Sequence, residues 1–206
     1  MADGFFLTLE GIDGSGKSTQ VRLIAEHLSA AGRDVLVTRE PGGSPGAEEI
    51  RKLLVEGPPD RWSAETEILL FTAARRDHLE RTILPAISEG KTVICDRFID
   101  STRAYQGSGA QREWVEALHE MMIGRNPDLT LVLDLDPAEA LTRAGARANR
   151  EDRFEQQGLE FQARLRGTFH EIAASEPERV ALIDATGDAQ EVFARARNVI
   201  GRHLDG

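Results

Sequence analysis

The stretch "GIDGSGKSTQ", Gly11 to Gln20, lies between the apolar run "FFLTLE" and the amphipathic "VRLIAEHLSAAG". Gly11, Gly16, Lys17 and Ser18 fit the pattern G-x-x-x-x-G-K-[ST]. In such a loop the glycines let the backbone turn tightly and aim successive N–H groups inward, and the following helix adds its positive N-terminal end. The lysine bridges distal phosphates, and the hydroxyl can ligate Mg²⁺. A preceding strand and a following helix are the context this reading requires, and both patterns are present. ATP or GTP binding follows. The loop residues Gly11, Ile12, Asp13, Gly14, Ser15, Gly16, Lys17, Ser18 and Thr19 are assigned to the nucleotide, with Lys17 as a catalytic cation. Asp13 is electrostatically awkward there, and is tolerated most easily if it faces away from the nucleotide and accepts a hydrogen bond.

Outward from this loop the chain alternates. Strand-like runs occur at 5–10, 34–39, 91–96, 129–136 and 179–184, and helical spacing at 18–31, 64–89, 112–123, 138–148, 159–174 and 189–204. The strands are nearly continuous apolar runs, as expected when helices cover both faces. The pattern predicts an α/β fold with a mainly parallel sheet of five strands, ligands binding at their carboxyl ends. Turn signals sit at "AAGRD", "EPGGSPG" and "EGPPD", and Pro85 is expected to kink or shorten the long third helix. A single domain over 1–206 is expected. Its exception is "RAGARANREDRFEQQ", 143–157, dense in charge and poor in apolar residues, which reads as a lid.

Composition narrows the partners. The 206 residues carry a formal net charge of −10, which argues against a nonspecific grip on nucleic acid, since polyanions are held by clustered cations. No apolar run approaches the roughly 18 residues of a membrane span, and "MADGFF" lacks a secretory start, so a cytoplasmic protein is expected. The single cysteine, Cys95, reads as a small buried apolar residue.

A guanine-reading N-K-x-D stretch is missing, and 206 residues leave little room for the sensing elements of a remodelling ATPase. A small-molecule kinase fits better, because it needs a triphosphate cradle, an acceptor pocket and mobile arginines. The third strand ends in "CDRF": Asp96 is placed to hold the Ser18 hydroxyl or a Mg²⁺ water, with Arg97 in the crevice. Asp134 and Asp136 in "LVLDLDP" compete with Asp96 for that role, or cap the next helix.

"GIDGSGKST", "TREPGGS" (38–44), "LLFTAARRDHLE" (69–80), "DRFIDSTRAYQG" (96–107) and the arginine-rich 143–155 occur in the order seen in thymidylate kinases, which the chain resembles over nearly its whole length. The resemblance implies a P-loop nucleoside monophosphate kinase fold, transfer of the ATP γ-phosphate to dTMP, and a homodimer. Arg39 and Arg97 resemble the clamps for the dTMP phosphate, Phe71 the stacking face for thymine, and Arg75 the arginine that reads a thymine carbonyl. Ser101 and Thr102 fall at the base edge. Tyr105 and Gln106 match the segment closing over sugar and base, with Tyr105 placed to disfavour a ribose 2'-hydroxyl. Asp13 is similar to an acidic residue that contacts the 3'-hydroxyl of dTMP.

The loop itself carries no arginine at Asp13, Gly14 or Ser15, so the chain resembles the bacterial type with lid arginines. Arg143 is expected near the adenine, and Arg147, Arg150 and Arg153 are candidates for the transferring phosphate. Among the five histidines only His78 lies in one of these blocks, where it reads as helix surface. Another nucleotide or metabolite kinase of this fold, and a nucleotide-driven switch module, remain as alternatives.

Overall fold

The computed structural model describes residues 4–58, 60–145 and 158–204. Period-two alternation sends Leu7 and Leu9 of β1 (Phe5–Glu10) to one face of a sheet and Phe6 to the other, and all three are fully buried. The other strands are β2 (Val35–Arg39), β3 (Thr92–Asp96), β4 (Leu129–Asp134) and β5 (Val180–Asp184). Their order is β2-β3-β1-β4-β5, and every neighbouring pair is parallel. The mainly parallel sheet expected from sequence is thus wholly parallel among the described residues.

Helices cover both faces. On one, α1 (Lys17–Ala30) presents Val21, Ile24 and Leu28, with Leu165 from α8 (Leu159–Ser175) and Val192, Ala196 and Ile200 from α9 (Ala189–Leu204). On the other, Ile68 of α3 (Ala64–His78) and Val115 of α6 (Gln111–Leu118) pack on Phe6, Val93 and Cys95. Cys95 is buried and unpaired, as expected. The remaining helices are α2 (Pro45–Val55), α4 (Leu84–Ser88), α5 (Ile99–Tyr105) and α7 (Pro137–Gly145).

Three local features differ from the expectation. The helix expected over 64–89 is interrupted earlier than at Pro85: Leu79–Ile83 is a wider π-helical turn, and α4 resumes with the proline in its first turn. Pro85 has no N–H and its ring crowds the carbonyl four residues back, so loosening the preceding turn relieves both problems. The helix α2 begins within the run read as a turn, with Pro45 in its first turn, where a missing N–H costs nothing. The seven-residue α5 is too short to display a periodicity.

The chain leaves β1 toward β2 on one side and leaves β3 toward β4 on the other, so the loops after the adjacent strands β1 and β3 flank a crevice at their carboxyl ends. One wall of it, α5, is anchored from behind. Asp100, fully buried, accepts hydrogen bonds from Arg179 Nη1 (2.7 Å) and Nη2 (2.9 Å), Arg103 Nη1 (2.9 Å) and the Thr130 hydroxyl (3.1 Å). Burial alone would raise its pKa, but the two arginines hold it below the ordinary carboxylate value. Asp100→Ala leaves Arg103 with Glu116 and Glu176 and Arg179 with Glu176 but removes the carboxylate that joins them beneath α5, and is expected to lower stability by about 2 kcal/mol. A urea titration checks this: the midpoint falls with the slope unchanged, whereas an unmoved midpoint contradicts the anchoring role.

Candidate active site

The loop between β1 and α1 folds as the glycine pattern requires. At Gly11 (φ 132°) a Cβ would lie 2.7 Å from the Leu133 carbonyl oxygen, and at Gly14 (φ 84°) 2.1 Å from that of Ala140. Neither backbone conformation nor space admits a side chain at these two positions. Lys17, which opens α1, is buried and donates to the Gly11 and Ile12 carbonyls, both at 3.0 Å. Burial and then the neighbouring Arg97 bring its pKa down to about 8, against the upward pull of Asp13, Asp96 and Glu10.

The Ser18 hydroxyl donates to Asp96 Oδ2 at 2.9 Å, while Asp96 Oδ1 is buried with no partner among the described residues. An orphaned carboxylate oxygen beside a hydroxyl is the hard-oxygen donor set that suits Mg²⁺, which takes few protein ligands and completes its shell with phosphates and water. No group of three or more His, Cys, Asp or Glu residues suited to a metal occurs among the described residues. The competing carboxylates are engaged elsewhere. Asp134 accepts from Arg166 Nε (2.6 Å) and pairs with His170 (2.9 Å), and Asp136 receives the backbone N–H of Ala138 (2.9 Å) at the start of α7.

Arg97, directly after β3, has a left-handed backbone (φ 72°) that a branched or long side chain rarely adopts. The conformation is held from β1. The Arg97 N–H donates to the Leu9 carbonyl (2.9 Å), and the Glu10 carboxylate accepts from the backbone N–H of Phe98 (2.7 Å), that of Ser101 (3.1 Å) and the Ser101 hydroxyl (2.6 Å). So fixed, the Arg97 guanidinium donates to Asp13 and to the Ser101 hydroxyl (3.1 Å) and lies 5.1 Å from the Tyr105 ring centroid. Burial would raise the Asp13 pKa, but Arg97, Lys17 and the Tyr105 hydroxyl together hold it below the ordinary value.

A cavity of about 310 Å³ opens between these elements. All nine residues expected at the acceptor line it: Asp13, Arg39, Phe71, Arg75 and Arg97, with Ser101, Thr102, Tyr105 and Gln106 from α5 and its end. Gly14, Gly16, Lys17, Ser18 and Asp96 line it too, so the phosphate cradle and the cavity are continuous. Arg75 is 3% exposed, buried despite its charge. Its Nε donates to Glu40 (2.8 Å), and its Nη2 to the Phe98 carbonyl (3.1 Å) and the Thr102 hydroxyl (2.9 Å). Arg39 is exposed at the rim and paired with Glu48 (3.0 and 3.1 Å).

Arg143 lies apart from the cavity, donating to Glu139 (2.6 Å), to the Ala185 carbonyl (3.2 Å) and to the Gly187 carbonyl (3.4 Å). Arg147, Arg150 and Arg153 lie outside the described residues. His78 is corrected: it is fully buried, not on the helix surface, because Glu40 and Thr38 receive its ring. Sequence reasoning also missed Glu40, Arg51 and Phe98 in the cavity wall, and Glu10 beneath it. Glu10 had a signal, a carboxylate ending an otherwise apolar strand next to the glycine loop.

Burial foremost, then the nearby Asp100, pushes Glu10 up from 4.5 to about 7, against the lowering effect of Arg97 and its own hydrogen bonds. Between those two values the folded chain binds the proton that the unfolded chain has lost, so this group's stabilising contribution is complete below 4.5 and declines as pH rises through about 7. Comparing wild type with Glu10→Gln by denaturation across that window should therefore give a stability difference that falls by up to about 1.4 kcal/mol per pH unit. Parallel curves would contradict the burial of this carboxyl.

A family model described as thymidylate kinase matches residues 9–196. A thymidylate kinase of Ruegeria pomeroyi is 60% identical over 98% of this chain and 97% of its own length, and one of Caulobacter vibrioides 53% identical over 99% of each. Among solved structures, the thymidylate kinase of Ehrlichia chaffeensis matches with a TM-score of 0.75 at 36% identity, covering 96% of this chain and 98% of that one. With a glycine cradle, a Ser18–Asp96 pair and an arginine-lined cavity in the places the motifs predict, the chain belongs to the thymidylate kinase family.

Proposed function

We propose that this chain transfers the γ-phosphate of ATP to dTMP, giving dTDP, with the cradle as the donor half of the site and the 310 Å³ cavity as the acceptor half. The observation that carries this reading is the continuity of the two, since in-line transfer requires donor and acceptor phosphates to meet. Two phosphate groups repel strongly as they approach, so the work is positioning and charge neutralisation, with no covalent nucleophile on the protein.

In this scheme the Gly11–Thr19 loop binds the ATP phosphates and Lys17 neutralises charge on the distal ones. Ser18 and Asp96 would hold Mg²⁺, which would supply positive charge against the charge that develops on the phosphates during transfer. A phosphate oxygen of dTMP attacks the γ-phosphorus as the bond to the β-phosphate oxygen breaks, and Arg97 stays charged throughout because guanidinium does not titrate in this range. Arg39 leaves Glu48 to join Arg97 on the acceptor phosphate. Phe71 stacks on thymine, Arg75 donates to a thymine carbonyl, and Ser101, Thr102 and Gln106 contact the base edge and its surroundings. Thr102 also holds Arg75 in place through its hydroxyl.

Asp13 reads the 3'-hydroxyl, and Tyr105 excludes a 2'-hydroxyl by standing over Asp13 and Arg97. Arg143 borders the adenine, and 143–157 forms a lid of the single domain that brings Arg147, Arg150 and Arg153 to the transferring phosphoryl group. ADP formation from Mg-ATP should be fastest with dTMP and slower with dUMP, dCMP, the ribose form of TMP, and AMP. Lys17→Ala should lose about a hundredfold or more in kcat, as for removal of a preorganised charge partner. A different best acceptor would sink the roles of Phe71, Arg75 and Tyr105, and no turnover with any acceptor would sink the kinase reading.

The chain also works as a homodimer in this proposal. The helix α3 with its neighbours α2 and α6 and the π-helical turn His119–Ile123 that follows α6 exposes Leu53, Leu69, Trp114, Met121 and Met122, each at least 38% accessible, an apolar set that suits burial against a second copy. Light scattering should give twice the chain mass for the wild type and a shift toward monomer for Leu69→Glu. A monomeric wild type would contradict the assignment.

A further inference from the structure

At the cavity wall, four polar side chains from two segments form a linear hydrogen-bonded run. The Thr38 hydroxyl lies 2.7 Å from His78 Nε2, His78 Nδ1 lies 3.1 Å from Glu40 Oε1, and Glu40 Oε2 accepts from Arg75 Nε at 2.8 Å. His78 is 0% exposed, Arg75 3% and Glu40 7%. A carboxylate can only accept, so the assignment that satisfies every atom has His78 Nδ1–H donating to Glu40 and Nε2 accepting from Thr38. The remaining Arg75 nitrogen, Nη1, has no partner among the described residues, and Arg75 lines the cavity.

The loop after β2 is built around this chain. At Gly43 (φ 86°) a Cβ would stand 2.3 Å from His78 Nε2 and 2.4 Å from Thr38 Oγ1, so the backbone lies directly on the imidazole. The Thr82 hydroxyl donates to the Gly43 carbonyl at 2.8 Å and pins the same turn. His78 is thereby held from two sides, with its Nδ1 facing Glu40. The Arg75 guanidinium is held at Nη2 by the Phe98 carbonyl and the Thr102 hydroxyl and at Nε by Glu40, and His78 fixes the second oxygen of that carboxylate.

We propose that His78 is a positioning residue for the acceptor site: acting through Glu40, it sets the orientation of the Arg75 guanidinium and hence how tightly the acceptor base is held. The proposal rests on the reading of Arg75 as the contact to the base. It predicts an effect on the acceptor and none on the donor, since no member of the chain touches the glycine cradle.

Two substitutions separate this from a purely structural role. An Asn amide falls near the Nδ1 position of histidine and keeps a donor toward Glu40, whereas a Gln amide falls near Nε2 and reaches Thr38 instead. His78→Gln should raise the KM for dTMP about tenfold, the loss of one hydrogen bond to a charged group, with kcat and the KM for ATP within about twofold of wild type. His78→Asn should restore the KM for dTMP to within about threefold of wild type, an uncertainty of less than one hydrogen bond. If His78→Gln fails to fold, Glu40→Gln makes the same test and should also raise the KM for dTMP alone. The two His78 variants behaving alike, or KM for ATP and dTMP rising together, would overturn the proposal. Arg75→Ala is measured alongside: a KM for dTMP unchanged in that variant would sink the base-contact reading itself, whereas a raised one beside an unaffected His78→Gln would sink only the His78 relay.

Discussion

The site depends on one strained residue. Arg97 holds a left-handed backbone that its side chain disfavours, and it does so because the end of β1 binds the loop after β3 through the Leu9 carbonyl and the Glu10 carboxylate. Such a conformation costs on the order of 1–3 kcal/mol and persists only where the surroundings over-determine it. Here three hydrogen bonds to one buried carboxylate do so, and the return is a guanidinium fixed between the cradle and the cavity. A burial that raises the Glu10 pKa is the electrostatic counterpart of the same arrangement.

Around that cation the charges are ordered by partner, not by exposure. Asp13 is kept ionised by Arg97 and Lys17, so a carboxylate inside the glycine loop is neutralised by cations beside it. Asp96 faces Ser18, and Asp100, four residues further on, points backward into Arg103 and Arg179. Three aspartates within or beside two short loops thus face three different partners, Arg97 and Lys17 for Asp13, the Ser18 hydroxyl for Asp96, and Arg103 and Arg179 for Asp100.

Much of this was legible in the chain because its chemistry is local. The glycine loop is specified by backbone sterics within a few residues, and the five strands by unbroken apolar runs that only a sheet covered on both faces can bury. The cavity residues were legible through resemblance, and the nine named for the acceptor do line one space. What escaped was set by partners distant in sequence. His78 looks like a surface position of a charged helix until Glu40, more than thirty residues away, supplies the carboxylate it faces. The same holds for Glu10, whose partners lie at Phe98 and Ser101. The π-helical turn before Pro85 escaped for another reason, since the proline announces a fault in the helix but not which turn absorbs it.

In the proposed reaction Arg97, pinned by β1, receives the phosphate of the acceptor. Calorimetric titration of wild type and Arg97→Ala with dTMP and with thymidine tests it most directly, because the two ligands differ only in that phosphate. Wild type should bind dTMP at least about tenfold more tightly than thymidine, a difference worth about 1.4 kcal/mol, and Arg97→Ala should erase most of that preference while leaving thymidine binding nearly unchanged. An undiminished preference for dTMP in Arg97→Ala would place the phosphate elsewhere and contradict the account.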